Sequence, residues 1–158
     1  SSAGNDNLGR LVGYHYKKNI KKSFALGNIK GTTKLGGLVG RFEGDTISQS
    51  YSKGSVTGLY YGDPSDEIGN YYIGGLIGYG NGFIEESYTS STVSGIENQP
   101  IYTGCFVGYV EKSMEIKNAY YDKTLCTLDV EGRNQDGDPN IATINNNPAK
   151  TSMEMLQI

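Results

Sequence analysis

The chain has 158 residues, a formal net charge of −3 and 36% hydrophobic residues, enough for one domain with its own core. Acidic and basic residues are interspersed, so we expect no basic face and no nucleic-acid partner. No stretch approaches the roughly 18 apolar residues of a membrane-spanning helix, so membrane insertion is not expected either. Glycine (23) and tyrosine (13) are abundant, which favours strands joined by tight turns.

A short apolar phrase bracketed by glycine recurs four times along the chain. The copies are LGRLVG from Leu8, LGGLVG from Leu35, IGGLIG from Ile73 and TGCFVG from Thr103. Each is followed by a second phrase of the form I-x-x-[SA]-[FY], which begins at Ile20, Ile47, Ile84 and Ile116. Self-similarity at this spacing is typical of proteins built from stacked repeats.

Alignment of the four copies gives columns of like residues. The columns are Leu11, Leu38, Leu76 and Phe106; Val12, Val39, Ile77 and Val107; Ile20, Ile47, Ile84 and Ile116; Ser23, Ser50, Ser87 and Ala119; Phe24, Tyr51, Tyr88 and Tyr120; and Ile29, Val56, Val93 and Leu125. One such unit cannot bury its apolar face alone, whereas stacked units bury a continuous core.

These columns predict an all-β fold for residues 1–130. We expect a right-handed parallel β-helix, or β-solenoid, of about four coils, in which each repeated phrase forms a short strand with glycine at either end. A set of antiparallel hairpins or blades, one for each repeat, is the alternative.

The longest connector between copies runs from Leu59 to Tyr72 and contains the turn signal Gly-Asp-Pro. Insertions in stacked-repeat proteins collect on one side, often the binding side, and tyrosine offers a large contact area at low cost in entropy. The connector is therefore either an aromatic platform for a sugar or peptide, or a loop whose tyrosines cover an edge of the stack. Its tyrosines are Tyr60, Tyr61, Tyr71 and Tyr72.

A further column lies directly after the last glycine of each phrase. Its members are Tyr14, Arg41, Tyr79 and Tyr109. Facing outward, the column would be a stripe of aromatic rings with one arginine inserted, which suits a glycan through ring contacts and cation–π interactions. The alternative is that its rings stack only on one another.

Residues 131–158 lack the repeat and are predicted to form an irregular segment with a short terminal helix. Asp136, Asp138 and Asn140 alternate like calcium ligands, but Ile141 stands where an EF-hand loop needs glycine, so no metal site is expected. Thr151 and Glu154 have the spacing of a capping box. The helix that they predict either caps the open end of the stack or begins a following domain.

The sequence contains no recognisable catalytic motif. His15 is the single histidine, which excludes a His-x-x-x-His zinc motif in this chain, and neither a nucleophile elbow nor a phosphate-binding loop is present. We therefore expect no catalytic residues and no cofactor. Cys105 and Cys126 are too few for a disulfide scaffold, and they are either one bridge or two buried thiols.

Two of the copies resemble the GLUG motif, in which glycine, leucine and a bulky apolar residue are followed by a second glycine. The matching residues are Gly37, Leu38, Val39 and Gly40 in one copy and Gly75, Leu76, Ile77 and Gly78 in the other. The sequence SYSKGSVTG from Ser50 resembles the usual continuation of that repeat, and the resemblance covers about residues 8–130. The first and last copies depart from the motif at the leading glycine.

This resemblance implies a location and a class of function. GLUG repeats occur in large secreted or surface-attached bacterial proteins, including adhesin-like proteins and the non-catalytic region of immunoglobulin A-cleaving metalloproteases. It implies a non-catalytic adhesion or spacer module at the cell surface or outside the cell, with a host or microbial glycan or protein as partner. The alternatives are a carbohydrate-binding module of an extracellular enzyme and a small polysaccharide lyase, because some parallel β-helices are lyases.

Overall fold

A computed structural model of the chain describes residues 6–60, 71–95, 102–132, 142–144 and 148–155. These residues form short and long strands and one helical turn. The elements are β1 (Asn7–Gly9), β2 (Val12–Tyr16), β3 (Ile20–Lys21), β4 (Phe24–Gly31), β5 (Lys34–Gly36), β6 (Val39–Ser48), β7 (Tyr51–Gly58), β8 (Tyr72–Gly74), β9 (Ile77–Glu85), β10 (Tyr88–Ser94), β11 (Tyr102–Gly104), β12 (Val107–Lys117), β13 (Tyr120–Asp122), β14 (Ala142–Ile144), β15 (Ala149–Lys150) and α1 (Ser152–Met155).

The strands form three sheets, and every strand pair among the described residues is parallel. The first sheet has the order β1-β5-β8-β11, the second β2-β6-β9-β12-β14 with β3 also paired to β6, and the third β4-β7-β10-β13-β15. The chain visits the three sheets in the same order in each repeat. The prediction of an all-β fold with parallel sheets is confirmed, and the alternative of antiparallel hairpins or blades is wrong.

Residues that the alignment placed in one column are register partners in neighbouring strands. The paired columns include Val12, Val39, Ile77 and Val107; Ile20, Ile47, Ile84 and Ile116; and Phe24, Tyr51, Tyr88 and Tyr120. The prediction is wrong for Leu125, which lies in a turn and is 42% exposed. The strand ends before it because the Asp122 carboxylate accepts a hydrogen bond from the Thr124 N–H at 2.9 Å and thereby stabilises the turn.

The repeated phrase forms a corner and not a strand of its own, so that part of the prediction is wrong. In IGGLIG, β8 ends at Gly74, the backbone turns at Gly75 and Leu76, and β9 begins at Ile77. A Cβ atom on Gly74 would overlap the carbonyl oxygen of Ile77, so only glycine lets the two flanking strands approach so closely. The glycines therefore join the first sheet to the second.

Two apolar clusters fill the space between the sheets. The larger cluster lies between the second and third sheets and includes the fully buried Leu38, Leu76 and Phe106. The smaller cluster joins the first and third sheets and contains buried residues such as Leu35. Leu11 is 45% exposed, because among the described residues the first copy pairs with a neighbouring copy on one side only.

A ladder of serines links the repeats at the corner between the second and third sheets. The N–H of Ser23 donates to the Ser50 hydroxyl, and the N–H of Ser50 donates to the Ser87 hydroxyl, each at 3.1 Å. The Ser50 and Ser87 hydroxyls in turn donate to the carbonyl oxygens two residues before them. Small hydroxyl side chains therefore supply partners to backbone groups that the corner takes out of the regular strand pairing.

We predict that Ser87→Ala lowers the free energy of unfolding by about 1–2 kcal/mol, because it leaves the buried N–H of Ser50 without its acceptor. The matched control is Ser23→Ala. The Ser23 hydroxyl donates to the Lys21 carbonyl and is the acceptor in no hydrogen bond among the described residues. Urea unfolding of the two variants measures the difference, and an equal loss in both would contradict the ladder.

A degenerate copy of the repeated phrase follows the fourth copy. Residues 127–132, TLDVEG, lie beside TGCFVG, in the position that a fifth copy of the phrase would occupy. The N–H groups of Phe106 and Val107 both donate to the carbonyl oxygen of Val130, at 2.9 and 3.0 Å. The carbonyl of Phe106 itself accepts two N–H groups from the copy before it in the same way. The predicted boundary at residue 130 falls inside this phrase.

The segment after residue 130 adds further strands to the sheets. Although the sequence predicts an irregular segment there, β14 pairs with β12 and β15 pairs with β13, both in parallel. The sequence did not indicate these strands, because their residues carry no recognisable copy of the repeat. The calcium-like residues Asp136, Asp138 and Asn140 lie outside the described residues.

The terminal helix α1 has the predicted capping box. The N–H of Thr151 donates to the Glu154 carboxylate at 2.6 Å, and the N–H of Glu154 donates to the Thr151 hydroxyl at 3.2 Å. The Ser152 hydroxyl donates to the Asp122 carboxylate at 2.7 Å and so ties the helix to β13. No helix in the described part of the chain has the length and apolar character needed to cross a membrane.

Cys105 and Cys126 form a disulfide bond, which decides between the two alternatives that the sequence left open. Their Cα atoms are 5.7 Å apart. Cys105 occupies the corner position that is glycine in the second and third copies, and Cys126 lies in the turn after β13. The bridge therefore fastens the fourth corner to the end of the third sheet.

Candidate functional site

The predicted column of Tyr14, Arg41, Tyr79 and Tyr109 forms a continuous ladder on the second sheet. The Arg41 guanidinium carbon lies 5.2 Å from the ring centre of Tyr14 and 5.2 Å from that of Tyr79, so the arginine stands between two tyrosines. The rings of Tyr79 and Tyr109 are nearly parallel, with centres 5.5 Å apart. We call these four residues the arginine–tyrosine ladder.

Carboxylates beside the arginine–tyrosine ladder fix its polar groups. Glu43 accepts hydrogen bonds from the Arg41 guanidinium and, at 2.9 Å, from the Tyr14 hydroxyl. Burial alone would raise the pKa of Glu43, but these two hydrogen bonds outweigh it and hold the pKa below its ordinary value. Burial, together with the nearby charge of Glu111, raises the pKa of Tyr79. These pKa shifts keep the Glu43 carboxylate charged and the Tyr79 phenol neutral at neutral pH.

The connector tyrosines do not form one exposed platform. Tyr71 and Tyr72 are buried, at 4% and 7% exposure, and Tyr60 contacts Tyr71 edge-on with ring centres 6.1 Å apart. Tyr61 lies outside the described residues. Two of the four side chains are thus held against the sheets, which leaves them little surface for a ligand.

Tyr72 instead extends the arginine–tyrosine ladder across to the first sheet. Its ring centre lies 5.0 Å from that of Tyr79, 4.8 Å from that of Tyr109 and 5.2 Å from that of Tyr102. The Lys34 ammonium lies 5.4 Å from the Tyr79 ring. Sequence analysis missed Tyr102 and Lys34, although their register with Tyr72 in the first sheet was a usable signal.

The GLUG-like residues are structural. Leu38, Val39, Leu76 and Ile77 are fully buried. At Gly37, Gly40, Gly75 and Gly78, an added Cβ would meet backbone atoms of a neighbouring copy. Each residue of the motif therefore faces protein and not solvent.

A second aromatic column lies on the third sheet. The alignment predicted that Phe24, Tyr51, Tyr88 and Tyr120 belong to the core, but the structure places this column on the outside, with Tyr51, Tyr88 and Tyr120 half-buried and Phe24 57% exposed. The physical reason is the serine just before it. Ser50 and Ser87 turn inward at the corner and bond to backbone, so the next side chain in the alternating strand points outward.

We call these four residues the outer column. The rings of its first three members stack on one another, and no ring contact joins Tyr88 to Tyr120 among the described residues. Phe24 and Tyr51 stack at 5.3 Å, and Tyr51 and Tyr88 stack at 4.8 Å with nearly parallel rings. A pocket of about 330 Å³ lies at the last two rungs. Its lining residues are Gln49, Glu86, Ser87, Tyr88, Asn118 and Tyr120.

Among the described residues, no group of three or more His, Cys, Asp or Glu side chains is placed to hold a metal ion. The His15 ring stacks on Phe42 with centres 5.7 Å apart, and its Nε2 lies 3.0 Å from the Lys18 carbonyl oxygen. These contacts give His15 a packing role in the first repeat.

Comparison with known proteins gives no match to a protein-family model, to a curated protein or to a solved structure.

Proposed function

We propose that this chain is a right-handed parallel β-solenoid of about four coils, of the GLUG-repeat type, whose short terminal helix caps the stack. It acts as a non-catalytic adhesion or spacer module of a larger secreted or surface-attached bacterial protein. The observation that carries the proposal is the direct pairing of equivalent residues from all four copies in parallel sheets.

Such a stack resists bending because each repeat is fastened to the next by backbone hydrogen bonds from all three sheets. Each added coil lengthens it by roughly 4.8 Å, the ordinary spacing of paired strands. Leu11 belongs to a column that is fully buried in the other copies, and at 45% exposure it offers an apolar contact for a neighbouring part of a larger protein. A stiff body of this kind projects another domain or presents a flat surface to a partner.

The disulfide supports an extracellular location. Disulfides form and persist in oxidising surroundings such as the cell surface, and they are rare in the reducing cytosol. Together with the resemblance to repeats of secreted bacterial proteins, the bridge favours a module that works outside the cell.

Attachment of coated beads tests the adhesion proposal. Beads that carry the folded chain should attach to epithelial cells or to bacterial surfaces well above uncoated beads, and excess soluble chain should abolish the difference. Small-angle scattering of the chain tests the spacer role, because a stiff stack gives the profile of a compact, rigid body and a flexible chain does not. Absence of attachment combined with flexible-chain scattering would refute the proposal.

A carbohydrate-binding module is the second candidate, and the arginine–tyrosine ladder favours it. Tyr14 is 46% exposed beside Arg41 and Glu43, so a flat ring and hydrogen-bonding groups face solvent together. Binding to a glycan array that is lost in Tyr14→Ala would support this candidate. Binding that Tyr14→Ala leaves unchanged would exclude the ladder as the site.

A further inference from the structure

We propose that the pocket on the third sheet binds a single neutral pyranose unit of a glycan between Tyr88 and Tyr120. The site gives the adhesion module its contact with a partner, and in that sense the inference rests on the proposed function. It lies on a different sheet from the arginine–tyrosine ladder.

The pocket lies where the stacking of aromatic rings stops, between the paired residues Tyr88 and Tyr120. Tyr88 and Tyr120 are paired in neighbouring strands, as Tyr51 and Tyr88 are, yet no ring contact joins them among the described residues. One face of the Tyr88 ring is covered by Tyr51. The Tyr120 ring is contacted by the Lys150 ammonium, 5.4 Å from its centre. The two rings are thus each held by another neighbour and line the pocket together.

The size of the pocket suits one sugar ring. Ligand pockets range from about 300 to 1,000 Å³, so this pocket, at about 330 Å³, is at the small end of the range and has room for one sugar ring. A tyrosine face packs against the C–H groups of a pyranose ring, because the ring face carries the negative part of the aromatic quadrupole.

The polar lining supplies hydrogen bonds to sugar hydroxyl groups. Gln49 donates to one oxygen of the Glu86 carboxylate at 2.9 Å, which fixes its orientation and leaves the other oxygen without a partner among the described residues. The Asn118 amide lines the same pocket and offers both a donor and an acceptor. Of the six lining residues, Glu86 alone carries a carboxylate, whereas Lys150 contacts the Tyr120 ring without lining the pocket, so the lining favours neutral glycosides over uronic acids.

The corner that holds these polar groups is built in an unusual backbone conformation. Gln49, Glu86 and Asn118 occupy equivalent positions and have positive φ angles of 50°, 46° and 48°. A residue other than glycine in this conformation is uncommon, and it is retained where the surroundings require it. This conformation places the three side chains at the same corner, where they line the pocket together.

Titration of the ¹⁵N-labelled chain with simple glycosides tests the site. The probes are methyl β-D-glucopyranoside, methyl β-D-galactopyranoside and methyl β-D-glucuronide. We expect amide shifts confined to the pocket residues with at least one neutral glycoside and none with the glucuronide. Shifts centred on the second sheet, or no shifts with either neutral glycoside, would overturn the proposal.

Two variants and one control sharpen the result. Tyr120→Leu keeps an apolar side chain but removes the ring face, and it should raise the Kd of the bound glycoside about ten-fold. Glu86→Gln should admit the glucuronide. Tyr16→Leu removes an exposed ring of β2 that lines no part of the pocket, so it should leave the Kd unchanged, and an equal loss in this control would contradict the assignment. Circular dichroism confirms that each variant is folded.

The same variants separate this inference from the adhesion proposal. Attachment of coated beads without any glycoside shift would refute the pocket and leave adhesion standing. Glycoside binding without attachment would refute adhesion and leave the pocket standing. Attachment that Tyr120→Leu abolishes in a folded chain would support both.

Discussion

Gly74→Ala should lower the free energy of unfolding by at least about 3 kcal/mol, a large part of the stability of an ordinary domain. The new Cβ would overlap the carbonyl oxygen of Ile77 and lie 2.6 Å from the backbone nitrogen of Gly108. Both are backbone atoms of paired strands, so no side-chain rotation relieves the overlap. The first and second sheets have to separate at this corner.

Gly27→Ala is the matched control for that result. The Gly27 φ angle is +108°, but nothing lies within 4 Å of the added Cβ, so the cost is backbone strain of roughly 1–2 kcal/mol. Urea unfolding followed by circular dichroism measures both variants. If Gly74→Ala were no more harmful than Gly27→Ala, the close approach of the sheets at the corner would be wrong.

The parallel pairing of strands was predictable from the sequence, because aligning the copies of the repeat shows which residues of neighbouring copies lie side by side. Aligning the four phrases placed Ile20, Ile47 and Ile84 in one column, and the structure pairs the same residues. The alignment likewise predicts one column of Tyr14, Arg41 and Tyr79, and these residues are register partners in the second sheet. Because each copy carries similar side chains at equivalent positions, the alignment of the copies also predicts which residues contact each other in neighbouring repeats.

The corners were less predictable, for two physical reasons. The GLUG-like phrase is apolar and bracketed by glycine, which fits a short strand as well as a sharp turn. At the next corner the positive φ angles fall on Lys22, Gln49, Glu86 and Asn118, where no glycine marks the turn. The sequence therefore indicated neither that the outer column turns outward nor that a pocket opens in it.

The sequence did not predict β14 and β15, because the repeat is no longer recognisable in this part of the chain. TLDVEG keeps the threonine, one apolar position and the last glycine of TGCFVG, so its relation to that phrase is recognised from the hydrogen bonds to Val130 and the parallel bridge between Val107 and Glu131. The final strands are two and three residues long, too short for a periodic pattern. At this end of the stack the strands are recognised by their backbone pairing with β12 and β13, and not by a repeated pattern of side chains.

Reduction of the disulfide should lower the free energy of unfolding by about 3 kcal/mol. The bridge joins residues 21 apart in sequence, and the loss of chain entropy in the unfolded state gives about this value for a loop of that length. Cys105 and Cys126 are 21 residues apart, and both are buried. For a chain of this size we expect the midpoint of thermal unfolding to fall by about 6–12 °C in dithiothreitol. Differential scanning calorimetry of the oxidised and reduced chain measures the change.

The double variant Cys105→Ala with Cys126→Ala is the control for the effect of the reductant. Its unfolding midpoint should resemble that of the reduced chain and should not respond to dithiothreitol. Hydrogen exchange should locate the loss at the end of the stack, since the bridge joins the fourth corner to the turn after β13. An oxidised chain whose midpoint dithiothreitol leaves unchanged would contradict a stabilising bridge.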